Sequence, residues 1–137
     1  MLLPHDEIST LDGGEWMRIL LVDDESAILD LGKQILTRFG YSVITTKDGE
    51  NALVLYQENR EIISLVILDL SMPGMGGIKC LEEMLRIDPK AKVVIASGYA
   101  ASEPKEKVIN AGACGFVGKP YEIKMLLNVI REVIDTE

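Results

Sequence analysis

The sequence predicts an α/β protein: a doubly wound, five-stranded parallel sheet with five helices. Three observations predict this fold class. Short apolar runs alternate with segments of helical periodicity along most of the chain. The apolar runs are nearly uniform, as in parallel strands that are buried on both faces. Right-handed crossovers between parallel strands then favour a doubly wound arrangement with helices on both sides of the sheet.

The first two predicted strands flank a helix. Arg18–Asp23 (RILLVD) is an apolar run that ends in acids. Ser26–Phe39 has a helical period, and Gly40 ends it as a residue that readily takes a left-handed cap conformation. Ser42–Thr46 (SVITT) is β-branched, which predicts the second strand. The residues expected to face the core from this helix are Ile28, Leu31, Ile35, Leu36 and Phe39.

A helix lies on either side of the third predicted strand. Glu50–Glu58 predicts the first of them, and Ile78–Leu85 shows the helical spacing of the second. Between them, Leu65–Leu70 (LVILDL) is apolar except for its aspartate, which predicts a buried strand. The expected inward residues are Ala52, Leu53 and Tyr56 in the first helix, and Ile78, Leu81, Met84 and Leu85 in the second.

The last third of the chain continues the alternation. Lys92–Ser97 (KVVIAS) predicts the fourth strand, and Ser102–Ala111 a weaker helix that Gly112 ends. Gly115–Gly118 predicts a short fifth strand. A strong apolar stripe predicts the final helix, formed by Ile123, Leu126, Leu127, Ile130, Val133 and Ile134.

The length of 137 residues suits one domain. Residues 1–16 contain Pro4, Gly13 and Gly14 and no sustained period, which predicts a flexible leader or linker before a domain at 17–137. No apolar run reaches the roughly 20 residues that cross a bilayer, and the first residues carry acids where a signal peptide carries bases. We therefore expect a cytoplasmic protein without direct membrane contact.

Charge and rare residues exclude several classes of function. The net charge of −8 disfavours direct binding to nucleic acid. Cys80 and Cys114 form no metal-binding motif, and we expect both to be reduced structural thiols. His5 is the only histidine and lies in the leader, so a histidine-based catalytic triad has no candidate in the domain.

Polar residues lie at or directly after the carboxyl ends of four of the predicted strands. They are Asp23 and Asp24 after the first strand, Asp69 in the third, Ser97 in the fourth and Lys119 after the fifth. Ligands of doubly wound folds bind beyond this edge of the sheet. Each residue alone is more often a turn former, a cap or a solvated side chain. The combination, each member after its own apolar run, predicts a site.

Clustered carboxylates repel one another unless cations neutralise them. All-oxygen ligands favour Mg²⁺, with Mn²⁺ as the alternative, and Lys119 would supply an ammonium. A metal, a lysine, the Ser97 hydroxyl and a carboxylate nucleophile are the groups that phosphoryl transfer needs. We therefore predict that Asp69 ends a core strand because it becomes phosphorylated.

The motifs LLVDDE, LVILDLSMPGMGG, VVIASGY and GFVGKPY resemble the receiver domains of two-component response regulators, which have a flavodoxin-like topology. The resemblance covers the chain from about Arg18 to Ile134. It implies that Asp69 is the phosphoacceptor and Lys119 the phosphate-binding lysine. It further implies metal binding by Asp23, Asp24, Asp69 and the backbone carbonyl of Ser71, and a switch formed by the Ser97 hydroxyl and the aromatic Phe116.

The resemblance also implies partners. A histidine kinase or a histidine phosphotransfer protein would donate the phosphoryl group, and the face of the last helices and fifth strand would bind a target or form a homodimer. The segment GEWMRILLVDDE most resembles the receivers of hybrid sensor histidine kinases, and a free-standing receiver is the alternative. Either way, we expect no stand-alone enzyme. Two positions depart from the usual pattern, because Gly76 replaces an acid and Phe116 lacks the hydroxyl of tyrosine.

Two other classes remain open. An aspartyl-phosphate phosphatase of the haloacid dehalogenase type needs a second acid two residues after the nucleophile, where this chain has Ser71. A flavodoxin-like binder of FMN or a nucleotide would share the fold. Neither GxGxxG nor GxxxxGKS follows the first strand, which disfavours a nucleotide loop there.

Overall fold

The computed structural model describes residues 17–98 and 105–136, and these residues form one sheet of five parallel strands. The predicted fold class is confirmed. The strand order is β2-β1-β3-β4-β5, so the chain reverses its direction of travel across the sheet after β2. The strands are β1 (Arg18–Val22), β2 (Ser42–Thr46), β3 (Ile63–Asp69), β4 (Val93–Ser97) and β5 (Gly115–Gly118).

Helices cover both faces of this sheet. The five described helices are α1 (Ser26–Arg38), α2 (Gly49–Asn59), α3 (Gly77–Ile87), α4 (Lys105–Asn110) and α5 (Ile123–Asp135). One core contains buried residues of α1 and α5, and the other contains those of α2, α3 and α4. Alternate residues of each strand enter the two cores, as with Leu20 in one and Leu21 in the other. No described helix has the length and apolarity that a membrane crossing requires.

The predicted inner face of α1 is partly wrong. Ile35 and Leu36 are buried, but Leu31 is 38% exposed and Phe39 is 50% exposed. The other buried positions are Leu29 and Gly32. A Cβ atom on Gly32 would lie 2.8 Å from the Cδ2 atom of Leu21, so α1 lies close against the sheet at a residue without a side chain. Hydrophobic periodicity does not detect such a contact.

Several element bounds differ from the prediction. β3 begins at Ile63, where the polar Ser64 hides its start in the sequence, and ends at Asp69 rather than Leu70. β4 begins one residue later than predicted. The described part of the fourth helix, α4, lies inside the predicted Ser102–Ala111, whose residues 102–104 are outside the described ranges. Positive φ angles of 97° and 113° at Gly40 and Gly112 confirm the two predicted glycine helix ends.

Two further expectations, for Ile123 and Cys114, are wrong. Ile123, at the start of α5, is 45% exposed, because the stripe that faces the sheet begins at Leu126. Both cysteines are free, and Cys80 is buried as expected. Cys114 is exposed, which corrects its interpretation as a structural thiol.

Candidate functional site

The carboxyl edge of the sheet gathers the polar residues that follow the strands. Asp23 comes directly after β1, Asp69 is the last residue of β3, and Lys119 comes directly after β5. The pairing of Val22 with Leu68 places Asp23 beside Asp69 at the same level of the sheet. The chain therefore brings together residues that are up to 96 positions apart in sequence.

The ammonium of Lys119 reaches two carboxylates at this edge. Its Nζ atom is 2.9 Å from Oδ2 of Asp23 and 2.9 Å from Oδ1 of Asp69. The Oε1 atom of Glu25 is 3.8 Å away. The Asp23 and Asp69 side chains are buried, and only 9% of the Lys119 side chain is exposed. The ammonium thus offsets the repulsion between two carboxylates that have almost no access to water.

A third carboxylate opens this cluster to solvent. One oxygen each of Asp23, Asp24 and Asp69 lies within 4.8 Å of the others, and Asp24 is exposed. The Oδ2 atom of Asp69 is buried and has no hydrogen-bond partner among the described residues. A buried acceptor without a partner costs free energy unless a ligand completes its contacts. This all-oxygen set fits a hard divalent cation such as Mg²⁺.

Backbone N–H groups hold the two buried carboxylates in place. The N–H of Glu25 donates to Oδ1 of Asp23 at 2.9 Å, and the N–H of Ser71 donates to Oδ1 of Asp69 at 3.3 Å. Each contact spans two residues, the pattern of an aspartate that orders its own turn. The predicted metal contact of the Ser71 carbonyl stays a prediction.

The two members of the buried pair titrate away from their ordinary ranges. Burial raises the pKa of Asp69 to about 6; the hydrogen bond from Lys119 opposes this rise, and the charge of Asp23 adds to it. Burial lowers the pKa of Lys119, but its bonds to Asp23 and Asp69 outweigh that effect and raise it. The lysine therefore stays charged, and Asp69 keeps its proton to a higher pH than an ordinary aspartate does, because its pKa is raised.

This raised pKa predicts a pH-dependent gain in stability from Asp69→Asn. In cation-free protein, Asp69 ionises near pH 6 when folded but near pH 4 when unfolded, so its contribution to stability falls as the pH rises between those values. The variant has no carboxyl at this position and so does not lose this contribution. The difference in free energy of unfolding between Asp69→Asn and wild type should therefore shift in favour of the variant by about 1–3 kcal/mol as the pH rises from about 4 to 7.

Urea unfolding in the presence of a chelator, at several pH values across that window, measures the difference. Asp30→Asn is the matched control, since Asp30 is an exposed residue of α1. A difference between Asp69→Asn and wild type that stays constant or shrinks as the pH rises would contradict the assignment.

Gly77 allows the loop after β3 to close behind Asp69. Its N–H donates to the carbonyl of Leu70 at 3.0 Å, and a Cβ atom there would lie 2.5 Å from the carbonyl oxygen of Asp69. The carbonyl groups of Leu70 and Asp69 belong to the backbone, so they cannot move away from an added Cβ atom without distorting the loop. We expect Gly77→Ala to lower the free energy of unfolding by about 2 kcal/mol. Gly118→Ala, where no atom lies within 4 Å, serves as the control in the same denaturation experiment and should change little.

Of the two predicted switch residues, Ser97 lies beside the site, since its carbonyl accepts from the N–H of Lys119 at 2.8 Å and its neighbour Ala96 pairs with Asp69. Ser97 ends β4 and is buried, and its hydroxyl donates to the carbonyl of Gly98 at 3.3 Å. Phe116 is partly buried and packs against the core on the side of α2, α3 and α4. Tyr99, the last residue of the VVIASGY motif, is outside the described residues.

Sequence reasoning missed two neighbours of the cluster. Glu25 contributes both a side-chain oxygen near Lys119 and the N–H that holds Asp23; its place directly after two acids was the available signal. Tyr121 is buried, and its hydroxyl has no partner among the described residues. Burial, together with the charges of Asp23 and Asp69, raises the pKa of Tyr121, so it remains a neutral phenol. Apolar periodicity gave no indication of its position.

Comparisons with known proteins agree with this geometry. Residues 19–131 match the family model described as response regulator receiver domain. The chain is 37% identical over 118 residues to the chemotaxis protein CheY of Treponema pallidum, covering 85% of this chain and 82% of that protein. It is 35% identical over 118 residues to the two-component response regulator ARR10 of Arabidopsis thaliana, covering 86% of this chain. The match covers 21% of ARR10, so the chain spans about a fifth of that protein's length.

A solved structure shows that the fold, too, is similar to that of a response regulator. The structure described as the CheX-CheY-BeF3-Mg²⁺ complex from Borrelia burgdorferi superposes with a TM-score of 0.84 at 31% identity. The superposition covers 92% of this chain and 95% of that one.

Proposed function

Because the chain belongs to the response regulator receiver domain family, we propose that it accepts a phosphoryl group on Asp69 from a phosphohistidine donor and then changes a partner-binding surface. One observation carries the proposal: the Nζ atom of Lys119 lies 2.9 Å from carboxylate oxygens of both Asp23 and Asp69, in a cluster with the exposed Asp24. Residues 17–137 would form the receiver, and residues 1–16 its leader or linker.

The buried carboxylate is the proposed nucleophile. A carboxylate oxygen of Asp69 forms the new P–O bond as the P–N bond to the donor imidazole breaks, and the departing imidazole takes up a proton. Lys119 then pairs with a phosphoryl oxygen. Asp23, Asp24, Asp69 and the carbonyl of Ser71 would hold Mg²⁺, or alternatively Mn²⁺, which when bound neutralises the charge on the phosphoryl oxygens.

Phosphorylation adds roughly two negative charges and strong acceptors at the end of β3. We propose that the Ser97 hydroxyl turns from the carbonyl of Gly98 to donate to this new group, which pulls the loop after β4 inward, and that Phe116 fills the space that this loop vacates. The surface of α4, β5 and α5 would then change. The changed surface would bind a target protein or a second copy of the chain. The donor of the phosphoryl group would be a histidine kinase or a histidine phosphotransfer protein.

Transfer from a radiolabelled phosphohistidine protein tests this function. We expect label on the wild-type chain in the presence of Mg²⁺, and none on Asp69→Ala or after chelation of the metal. Label retained by Asp69→Ala would disprove the assignment. Rapid turnover of a generic phosphomonoester would favour a phosphatase, and a bound chromophore in the purified protein would favour a flavin binder.

A further inference from the structure

A groove of about 850 Å³ lies at the amino ends of β4 and β5, at the end of these strands opposite the carboxylate cluster. Ile109 of α4 and Val133 of α5 line it, together with Phe116 of β5. Three lysines also line it: Lys90, Lys92 and Lys105. Glu132 is the only acid in the lining that the structure describes. The groove therefore combines an apolar surface with excess positive charge.

This basic character stands out in a chain whose net charge is −8. Lys90 and Lys105 are exposed, and neither forms an ion pair within residues 17–98 and 105–136. The ammonium of Lys92 donates to the carbonyls of Ile134 and Thr136 at the end of α5. Two cations thus remain available to an acidic ligand, and the complementary occupant is an acidic segment with apolar side chains.

The N-terminal segment of this chain has that composition and enters the described structure close by. Met17, the first described residue, lines a second cavity of about 300 Å³ together with Lys90 and Lys92, which also line the groove. Residues 1–16 contain no lysine or arginine. Their acids are Asp6, Glu7, Asp12 and Glu15, and their aliphatic residues between the prolyl and glycyl positions are Ile8 and Leu11.

We propose that residues 1–16 bind in this groove, with their carboxylates toward Lys90 and Lys105 and their aliphatic side chains between α4 and α5. An extended chain covers about 3.3–3.6 Å per residue, so the six steps from Leu11 to Met17 reach about 20 Å. The bound segment covers Phe116 and excludes any other ligand from the same groove. The inference does not rest on phosphorylation of Asp69, so the two proposals fail separately.

The exposed thiol of Cys114 lines the groove and reports whether it is covered, whereas Cys80 is buried. The test is the rate at which N-ethylmaleimide, an uncharged reagent, alkylates Cys114 in the full chain. We expect Asp6→Lys/Glu7→Lys to raise this rate by about tenfold, the factor for a segment that is bound about nine-tenths of the time. Lys90→Glu/Lys105→Glu should raise it similarly.

Two features of the design separate cover from local electrostatics. Acids introduced beside Cys114 disfavour its thiolate, which by itself slows alkylation. A faster reaction in Lys90→Glu/Lys105→Glu therefore shows that residues 1–16 no longer cover the thiol. Combining all four substitutions restores opposite charges and should restore protection. Lys33→Glu, which changes an exposed lysine of α1, is the matched control and should leave the rate unchanged.

Equal rates in wild type and Asp6→Lys/Glu7→Lys would overturn the proposal. So would protection that grows with protein concentration, since a second copy would then be the occupant. A carbodiimide cross-link from Lys90 or Lys105 to an acid of residues 1–16 within one chain would support it, and cross-links found only between chains would contradict it.

Discussion

Lys119→Met is expected to destabilise the cation-free protein by about 2–4 kcal/mol at neutral pH. The variant keeps most of the length of the side chain but removes the ammonium that lies 2.9 Å from both Asp23 and Asp69. Two buried carboxylates then face each other without a cation, which is the costly case for a buried ion pair. Chemical denaturation in the presence of a chelator measures the loss.

The partner charges supply the controls for this prediction. Removing one repelling carboxylate should recover part of the loss, so Lys119→Met/Asp69→Asn should be more stable than Lys119→Met alone. Lys33→Met changes an exposed lysine of α1 and should have little effect. Equal losses in Lys119→Met and Lys33→Met would show that the ammonium does not hold the cluster together.

Asp24→Asn should separate cation binding from stability. Asp24 is the exposed member of the three-carboxylate cluster, so its charge adds little to the folded state of the cation-free protein. Asp24 is, however, a proposed ligand of the metal, so its replacement should weaken Mg²⁺ binding by about 100-fold or more. This loss of affinity exceeds the loss expected when a residue that only hydrogen-bonds to a metal ligand is removed. The rate of phosphorylation at low Mg²⁺ concentration should fall in parallel.

Calorimetric titration with Mg²⁺ and denaturation without it provide the two readouts. Asp30→Asn, which removes an exposed acid from α1, controls for the change in net charge. Mg²⁺ affinity in Asp24→Asn that equals the affinity in Asp30→Asn would remove Asp24 from the ligand set.

Much of the candidate site was predictable because the strands are parallel. Parallel strands end at one edge, so a polar residue after each apolar run predicts a cluster even when 96 positions separate its members, as with Asp23 and Lys119. The fold class followed from the same alternation of strands and helices. Neither conclusion required knowledge of side-chain orientation.

The parts that failed depend on contacts that periodicity does not encode. Gly32 lies against Leu21 whereas Leu31 and Phe39 are exposed, but a glycine carries no hydrophobic signal. The polar Ser64 concealed the start of β3. Tyr121 reads as an ordinary aromatic residue, and only the packed structure shows its hydroxyl buried near the acids.

The central claim is that the carboxylate of Asp69 becomes an acyl phosphate, and its most direct test is chemical mapping of the modified residue. Borohydride reduces an aspartyl phosphate to homoserine, which mass spectrometry can locate after the chain reacts with a phosphoryl donor and Mg²⁺. We predict homoserine at position 69 alone, and none when the donor or the cation is omitted. Homoserine at position 23 or 24, or phosphorylated protein that borohydride leaves unchanged, would contradict the account.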